Sequence, residues 1–285
     1  MKKLFKILAV ALVATAFVAL LGVGLRSWKH SQLPRKEYHS EGVTIYVEKF
    51  DCHLKDGRIP GTIYKPQDSS GRKPLVVYLG PNERSGALIC RMAAARGFIA
   101  YAPDPAGTCS GRPLDATLSS ELKDLGNLLE RLGKEKFAEK GSIILMGHGH
   151  GALLAAMAAH KVKGLKGLVL LAPTFNLPEA AMQAYPKNRD IPDSCSLPGV
   201  EAAGRKFVQE ARKTDPFDRL RQIKEDVLII CGSSDATAPV EYAAMAASKL
   251  KNVEFKVIDG AGHNLGTSSN NEMMTLVGTF LDRHR

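Results

Sequence analysis

Internal repeats, low-complexity segments and metal-spaced cysteines are all absent from this sequence. Aromatic residues are scarce, at 6% with a single Trp. After residue 36 no basic run interleaved with aromatics occurs, so the footprint of a nucleic-acid binder is missing. Cysteine is sparse too: Cys52, Cys90, Cys109, Cys195 and Cys231. No CxxC or Cys/His pair has zinc spacing, and no metal site is indicated. Five is an odd number, so at least one thiol stays free or pairs between chains. Cys90 and Cys231 lie in apolar runs and read as small core residues. Cys52, Cys109 and Cys195 stand in loop-like contexts.

What is present is ordinary globular composition. The chain has 285 residues, 45% hydrophobic and 24% charged. Those figures argue against disorder, collagen and coiled coil. The formal net charge of +10 suggests an anionic partner at first sight. Its distribution removes that suggestion. Seven basic residues and no acid fall within 1–36, leaving 32 basic and 29 acidic residues from 37 to 285.

Residues 7–25 form an uninterrupted uncharged run in which only Thr15 is polar. That length crosses a bilayer core as a helix. Lys2, Lys3 and Lys6 precede it, as in the first region of a signal sequence. Gly22, Val23 and Gly24 are the candidate cleavage site. The run predicts an uncleaved anchor or a secretory signal, with the body in the cell envelope or outside the cell. Basic residues on both sides leave orientation open.

The body, 37–285, alternates strand and helix patterns. Residues 43–50 and 59–64 read as a hairpin. Residues 75–79 form a short apolar run suited to a strand covered on both faces. Further strands are predicted over 98–102, 143–146, 168–172, 227–231 and 253–258. Helices are predicted over 87–96, 118–129, 152–160, 240–250 and 272–282. This order implies an α/β fold, a mostly parallel sheet with helices on both faces. Residues 174–222 break the rhythm with five prolines, at 178, 186, 192, 198 and 216. An insertion of that size predicts a cap over the sheet. Its first half reads as loop, and 200–213 reads as helix.

Three strand ends carry candidate chemistry. Met146-Gly147-His148-Gly149-His150-Gly151-Ala152 joins a strand to a helix of small residues. A phosphate-binding turn is one reading, but no acidic residue follows about twenty positions on, as a dinucleotide site requires. Asp235 follows the 227–231 strand and His263 follows the 253–258 strand. Singly, Asp235 could be a turn residue and His263 a loop histidine.

Together the three loops resemble the α/β-hydrolase family over roughly 43–285. The first is similar to the nucleophile elbow G-x-S-x-G, and the others look like the loops bearing the acid and the base, in the family's order. Residues 103–110 resemble the loop after the fourth strand, with Ala106 and Cys109 departing from the usual Arg and Gly. Compact length, the cap and Asp215-Pro216-Phe217 point to the lysophospholipase-like and serine-aminopeptidase-like branch.

The resemblance implies an α/β-hydrolase fold, hydrolysis of a carboxylic ester, thioester or amide, and no metal or organic cofactor. It assigns the acid to Asp235, the base to His263 and the nucleophile position to Gly149, which has no side chain. The oxyanion hole needs two backbone N–H donors. His150 is one; the other falls on Pro81, which has no N–H, or on Gly80 after a one-residue shift. His148 and His150 should point away from the elbow position. Covalent serine catalysis is therefore expected to be absent or very weak. Three alternatives stand: a pseudoenzyme that binds a ligand or partner, slow hydrolysis by water polarised by His263, or an altered form of an active serine hydrolase. The expected ligand is a small acyl ester or amide or a lipid-like molecule, with membrane contact through 7–25.

Overall fold

The structure is a computed structural model that describes residues 36–55, 57–80, 83–104, 113–197, 199–265 and 269–285. The 7–25 segment, Pro81, Ala106 and Cys109 lie outside the described residues. Glu37–Arg285 forms one compact unit, which holds the features below. Among the described residues no helix is long and apolar enough to cross a membrane.

In chain order the elements are β1 (Lys36–Ser40), β2 (Val43–Lys49), β3 (Cys52–Leu54), β4 (Gly57–Ile59), β5 (Gly61–Pro66), β6 (Lys73–Leu79), α1 (Glu83–Ala95), β7 (Ile99–Pro103), α2 (Leu118–Leu132), β8 (Ala138–His148), α3 (His150–Ala159) and β9 (Leu165–Leu171). Then come α4 (Leu177–Ala184), β10 (Cys195–Leu197), β11 (Val200–Ala203), α5 (Arg205–Ala211), β12 (Asp226–Gly232), α6 (Val240–Ala247), β13 (Val253–Ile258) and α7 (Ser269–Arg283).

Among the described residues nine strands form one sheet in the order β1-β2-β5-β7-β6-β8-β9-β12-β13. β2, β5 and β7 pair antiparallel. Every pairing from β7 through β6, β8, β9 and β12 to β13 is parallel. The central strands are apolar on both faces because helices cover both. Leu75, Val77 and Leu79 of β6 enter one core and Val76 and Tyr78 the other, all 4% exposed or less. α2 begins at a reciprocal cap between Thr117 and Ser120, and buries Leu118, Leu125, Leu128, Leu129 and Leu132 at helical spacing.

The predicted hairpin is present as the β2–β5 pairing, with the small β3–β4 ribbon inserted at its end. The insertion differs from expectation. Its loop-like first half holds α4 and β10, and the stretch read as helix over 200–213 is strand β11 followed by α5. Cys52 and Cys195 lie in short strands and are buried, not in open loops. Cys52, Cys90, Cys195 and Cys231 are all free thiols.

Parallel register brings several strand ends to one level. Leu79 faces Gly147, Gly147 faces Leu170, and Gly232 faces Ile258. The loops that follow β6, β8, β9, β12 and β13 therefore open on the same end of the sheet. In open α/β sheets ligands bind in the crevice at this carboxyl end.

Candidate active site

The turn from β8 into α3 passes through Gly149 at φ 57° and ψ −121°. A side chain is strained in that backbone region, and glycine is not. The turn is held by the Gly149 N–H donating to the Leu171 carbonyl at 2.9 Å. The Gly149 carbonyl accepts from the N–H groups of Ala152, Leu153 and Thr174. The flanking glycines permit close approach. A Cβ on Gly147 would stand 2.3 Å from the Gly151 carbonyl oxygen, and one on Gly151 would stand 2.2 Å from that of Leu79.

Asp235 follows β12, and its side chain has no exposed surface. Its carboxylate is fully engaged. Oδ1 accepts from the N–H groups of Thr237 at 2.9 Å and Ala238 at 2.8 Å. Oδ2 lies 2.9 Å from His263 Nδ1. A carboxylate already bound by two N–H donors acts as acceptor there, so the network assigns the ring proton to Nδ1 and leaves the Nε2 lone pair free. That nitrogen faces the elbow. A Cβ built on Gly149 would stand 3.0 Å from His263 Nε2 and 3.5 Å from Cε1.

The loops carrying Asp235 and His263 are tied to each other. Ser234 N–H donates to the Ala261 carbonyl at 2.9 Å. Ser233 Oγ donates to Asp259 Oδ1 at 3.0 Å and accepts from the Gly260 N–H at 2.8 Å. These bonds hold Asp235 and His263 in register on rigid strand ends.

The two histidines beside Gly149 each have a separate anchor. His148 is buried and its Nε2–H donates to the His263 carbonyl at 2.9 Å, with the two rings 5.0 Å apart. Burial, reinforced by the adjacent His263 ring, holds its pKa below the ordinary histidine value. His150 Nε2 lies 2.8 Å from Glu121 Oε2 of α2, and its ring meets Phe207 of α5 edge-on. The His150 N–H, at the first turn of α3, has no intrahelical acceptor.

The structure thus brings together Gly149, His150, Asp235 and His263. Gly80 directly follows β6 at the same sheet end. Sequence reasoning missed Glu121, an acid inside the buried leucine stripe of α2, and the bond from His148 to the His263 carbonyl. It also missed contacts of the insertion. Asn176 Nδ2 donates to the Thr237 carbonyl at 3.0 Å, beside the acid. A Cβ on Gly199, between β10 and β11, would stand 3.6 Å from the His150 nitrogen.

Comparison with known proteins gives relatives of consistent kind. Residues 86–273 match the model of a family described as the alpha/beta hydrolase family. YtmA of Bacillus subtilis (strain 168), an uncharacterized peptidase, is 20% identical over 223 residues, covering 76% of this chain and 84% of the relative. The structure of Est1E from Butyrivibrio proteoclasticus is similar at a TM-score of 0.67 and 18% identity, covering 88% of this chain and 98% of that one. An acetyl xylan esterase from Paenibacillus sp. R4 is similar at a TM-score of 0.60 and 18% identity, covering 89% of each.

Proposed function

The chain belongs to the alpha/beta hydrolase family, and from that premise we propose that it binds small carboxylic esters, thioesters or amides and hydrolyses them slowly, without a covalent acyl-enzyme. One observation carries this reading: His263 Nε2 lies 3.0 Å from where a Gly149 Cβ would stand, while Asp235 holds the opposite ring nitrogen. The acid–base pair is complete, and the nucleophile it would serve is missing. Est1E has been solved with ferulic acid bound, which supports a small acyl-type ligand.

The step follows from the geometry. Water in the space of the missing hydroxymethyl group gives a proton to His263 Nε2 as its oxygen attacks the carbonyl carbon. Asp235 stabilises the imidazolium that forms. The negative oxygen of the tetrahedral intermediate is met by the His150 N–H and by the Gly80 N–H. Collapse expels the alcohol, thiol or amine, which takes the proton back from His263, leaving a carboxylic acid. In a serine protease, losing the nucleophile costs on the order of 10⁶ in kcat, and the remaining site retains roughly 10³–10⁴ over water. Turnover in this chain belongs on that lower scale.

The test is p-nitrophenyl acetate hydrolysis by the protein and by His263→Ala. A slow turnover that falls about 10²-fold or more in the variant supports general-base hydrolysis. Equal turnover in both contradicts it. A second reading, ligand binding without turnover, is favoured by the closeness of Gly199 to the His150 nitrogen. It predicts no turnover in either form and saturable binding of a substrate analogue.

We read residues 7–25 as an uncleaved anchor or export signal that keeps the body outside the cytoplasm. The support is their uncharged run behind three lysines. Alkaline extraction of membranes from cells making the full chain tests this: an anchor stays in the pellet, whereas a cleaved or absent signal does not.

A further inference from the structure

A groove of about 930 Å³ opens between α2 and the C-terminal part of α3, beside the first residues of β8. Ile143 lines it, whereas Gly149 directly follows the far end of the same strand, roughly 20 Å along at ~3.3 Å per residue. It is therefore separate from the site of Asp235 and His263. Its floor is apolar, made by Leu122, Leu129, Ile143, Met157 and Val162.

Its rim is cationic. Lys123, Lys134, Lys140, Lys161 and Lys163 surround it against one acid, Glu130, which is paired with Lys134. The other four make no direct salt bridge among the described residues, although Lys163 also acts at longer range on Glu130 and Lys123 on Asp124. A body with 32 basic and 29 acidic residues thus concentrates positive charge around one apolar cleft. The middle of the α2 face is open because Gly126 stands there, where a Cβ would meet nothing within 4 Å. Mid-helix glycine is destabilising relative to alanine, and no close packing requires it at this position. Its effect is to keep the groove unfilled.

An apolar floor of this size, ringed by five ammonium groups against the single lining carboxylate of Glu130, complements a ligand with a long hydrocarbon chain and an anionic head. We propose that the groove is a second binding site, taking one fatty-acid molecule with its chain between α2 and α3 and its carboxylate at Lys140, Lys161 and Lys163.

The test uses the full chain in nanodiscs of neutral phosphatidylcholine and a palmitate analogue bearing a photoreactive diazirine. Adducts are expected on peptides from 118–132 and 157–163, competed by palmitate and not by hexadecanol. Labelling should fall about tenfold in the triple variant Lys140→Glu, Lys161→Glu, Lys163→Glu. Gly126→Trp should reduce it similarly; it fills the open space and removes a helix-weakening residue, so it serves even if the charge variant misfolds. Adducts confined to other peptides, equal competition by the alcohol, or unchanged labelling in Gly126→Trp would each overturn the proposal. So would labelling that requires phosphatidylglycerol in the disc and resists free palmitate, since the face would then dock on a membrane surface.

Discussion

Replacing Gly149 by alanine puts a methyl group into the space that His263 addresses. Two costs follow from the geometry. The backbone there has φ 57° and ψ −121°, and holding a non-glycine residue in such a region costs about 1–3 kcal/mol. The new Cβ would also stand 3.0 Å from His263 Nε2, so the imidazole must withdraw slightly against the bond that Asp235 makes to it. For a body of this size each kcal/mol lowers Tm by about 2–4 °C, so Gly149→Ala should melt about 2–12 °C below the Gly149 protein. Serine carries the same Cβ but adds a hydroxyl that donates to Nε2. That bond contributes about 0.5–1.5 kcal/mol net, so Gly149→Ser should lie between alanine and glycine. Calorimetry of the three forms in one buffer reads all three values. An alanine form as stable as glycine would refute the strained turn, and a serine form no better than alanine would refute the aim of His263.

Other outcomes follow from particular contacts. Gly151→Ala should destabilise by more than about 3 kcal/mol or prevent folding, because its methyl meets the Leu79 backbone at 2.2 Å and not a yielding side chain; a folded, normally melting variant contradicts that packing. Burial lowers the His148 pKa in the fold, so the unfolded chain binds the proton more readily. Stability from this group is then full above pH ~6.5 and is lost as pH falls through the lower folded value, at up to about 1.4 kcal/mol per pH unit. His148→Gln, which keeps a donor for the His263 carbonyl, should flatten that slope in urea titrations; an unchanged slope rejects the assignment. Burial pushes the Cys52 thiol up to about 11 and the Cys231 thiol up to about 12, and raises Cys90 as well. All three should resist iodoacetamide at pH 8 in the native protein and react in urea, as peptide mapping would record; rapid native alkylation of any of them speaks against the core.

Much of this arrangement was legible from local chemistry. The central strands show as short apolar runs because both faces of the sheet are covered, and residues 253–258 appear as β13 with the predicted bounds. The elbow, acid and base loops are readable because each follows a strand end and depends on residue types, Gly149, Asp235 and His263, that turns and proton transfer require. The insertion was less legible. Cys195–Leu197 and Val200–Ala203 are too short to show a period, and their pairing depends on contact with the rest of the body. Glu121 was hidden because an acid in a leucine-rich helix reads as an exposed position until His150 is seen against it. The lysine-rimmed groove was invisible for a similar reason: its residues come from α2, the start of β8 and the end of α3, and only folding gathers them.

The central claim is that Asp235 and His263 form a working acid–base pair aimed at a nucleophile position occupied by glycine. Its most direct test is labelling with an activated phosphonate, with the adduct mapped by mass spectrometry, for the Gly149 protein and for Gly149→Ser. The geometry predicts no adduct at residue 149 in the first, and in the second a stoichiometric adduct on the new serine that is lost when His263→Ala is added. A Gly149→Ser protein that folds but stays unlabelled, or labelling indifferent to His263, would contradict the claim.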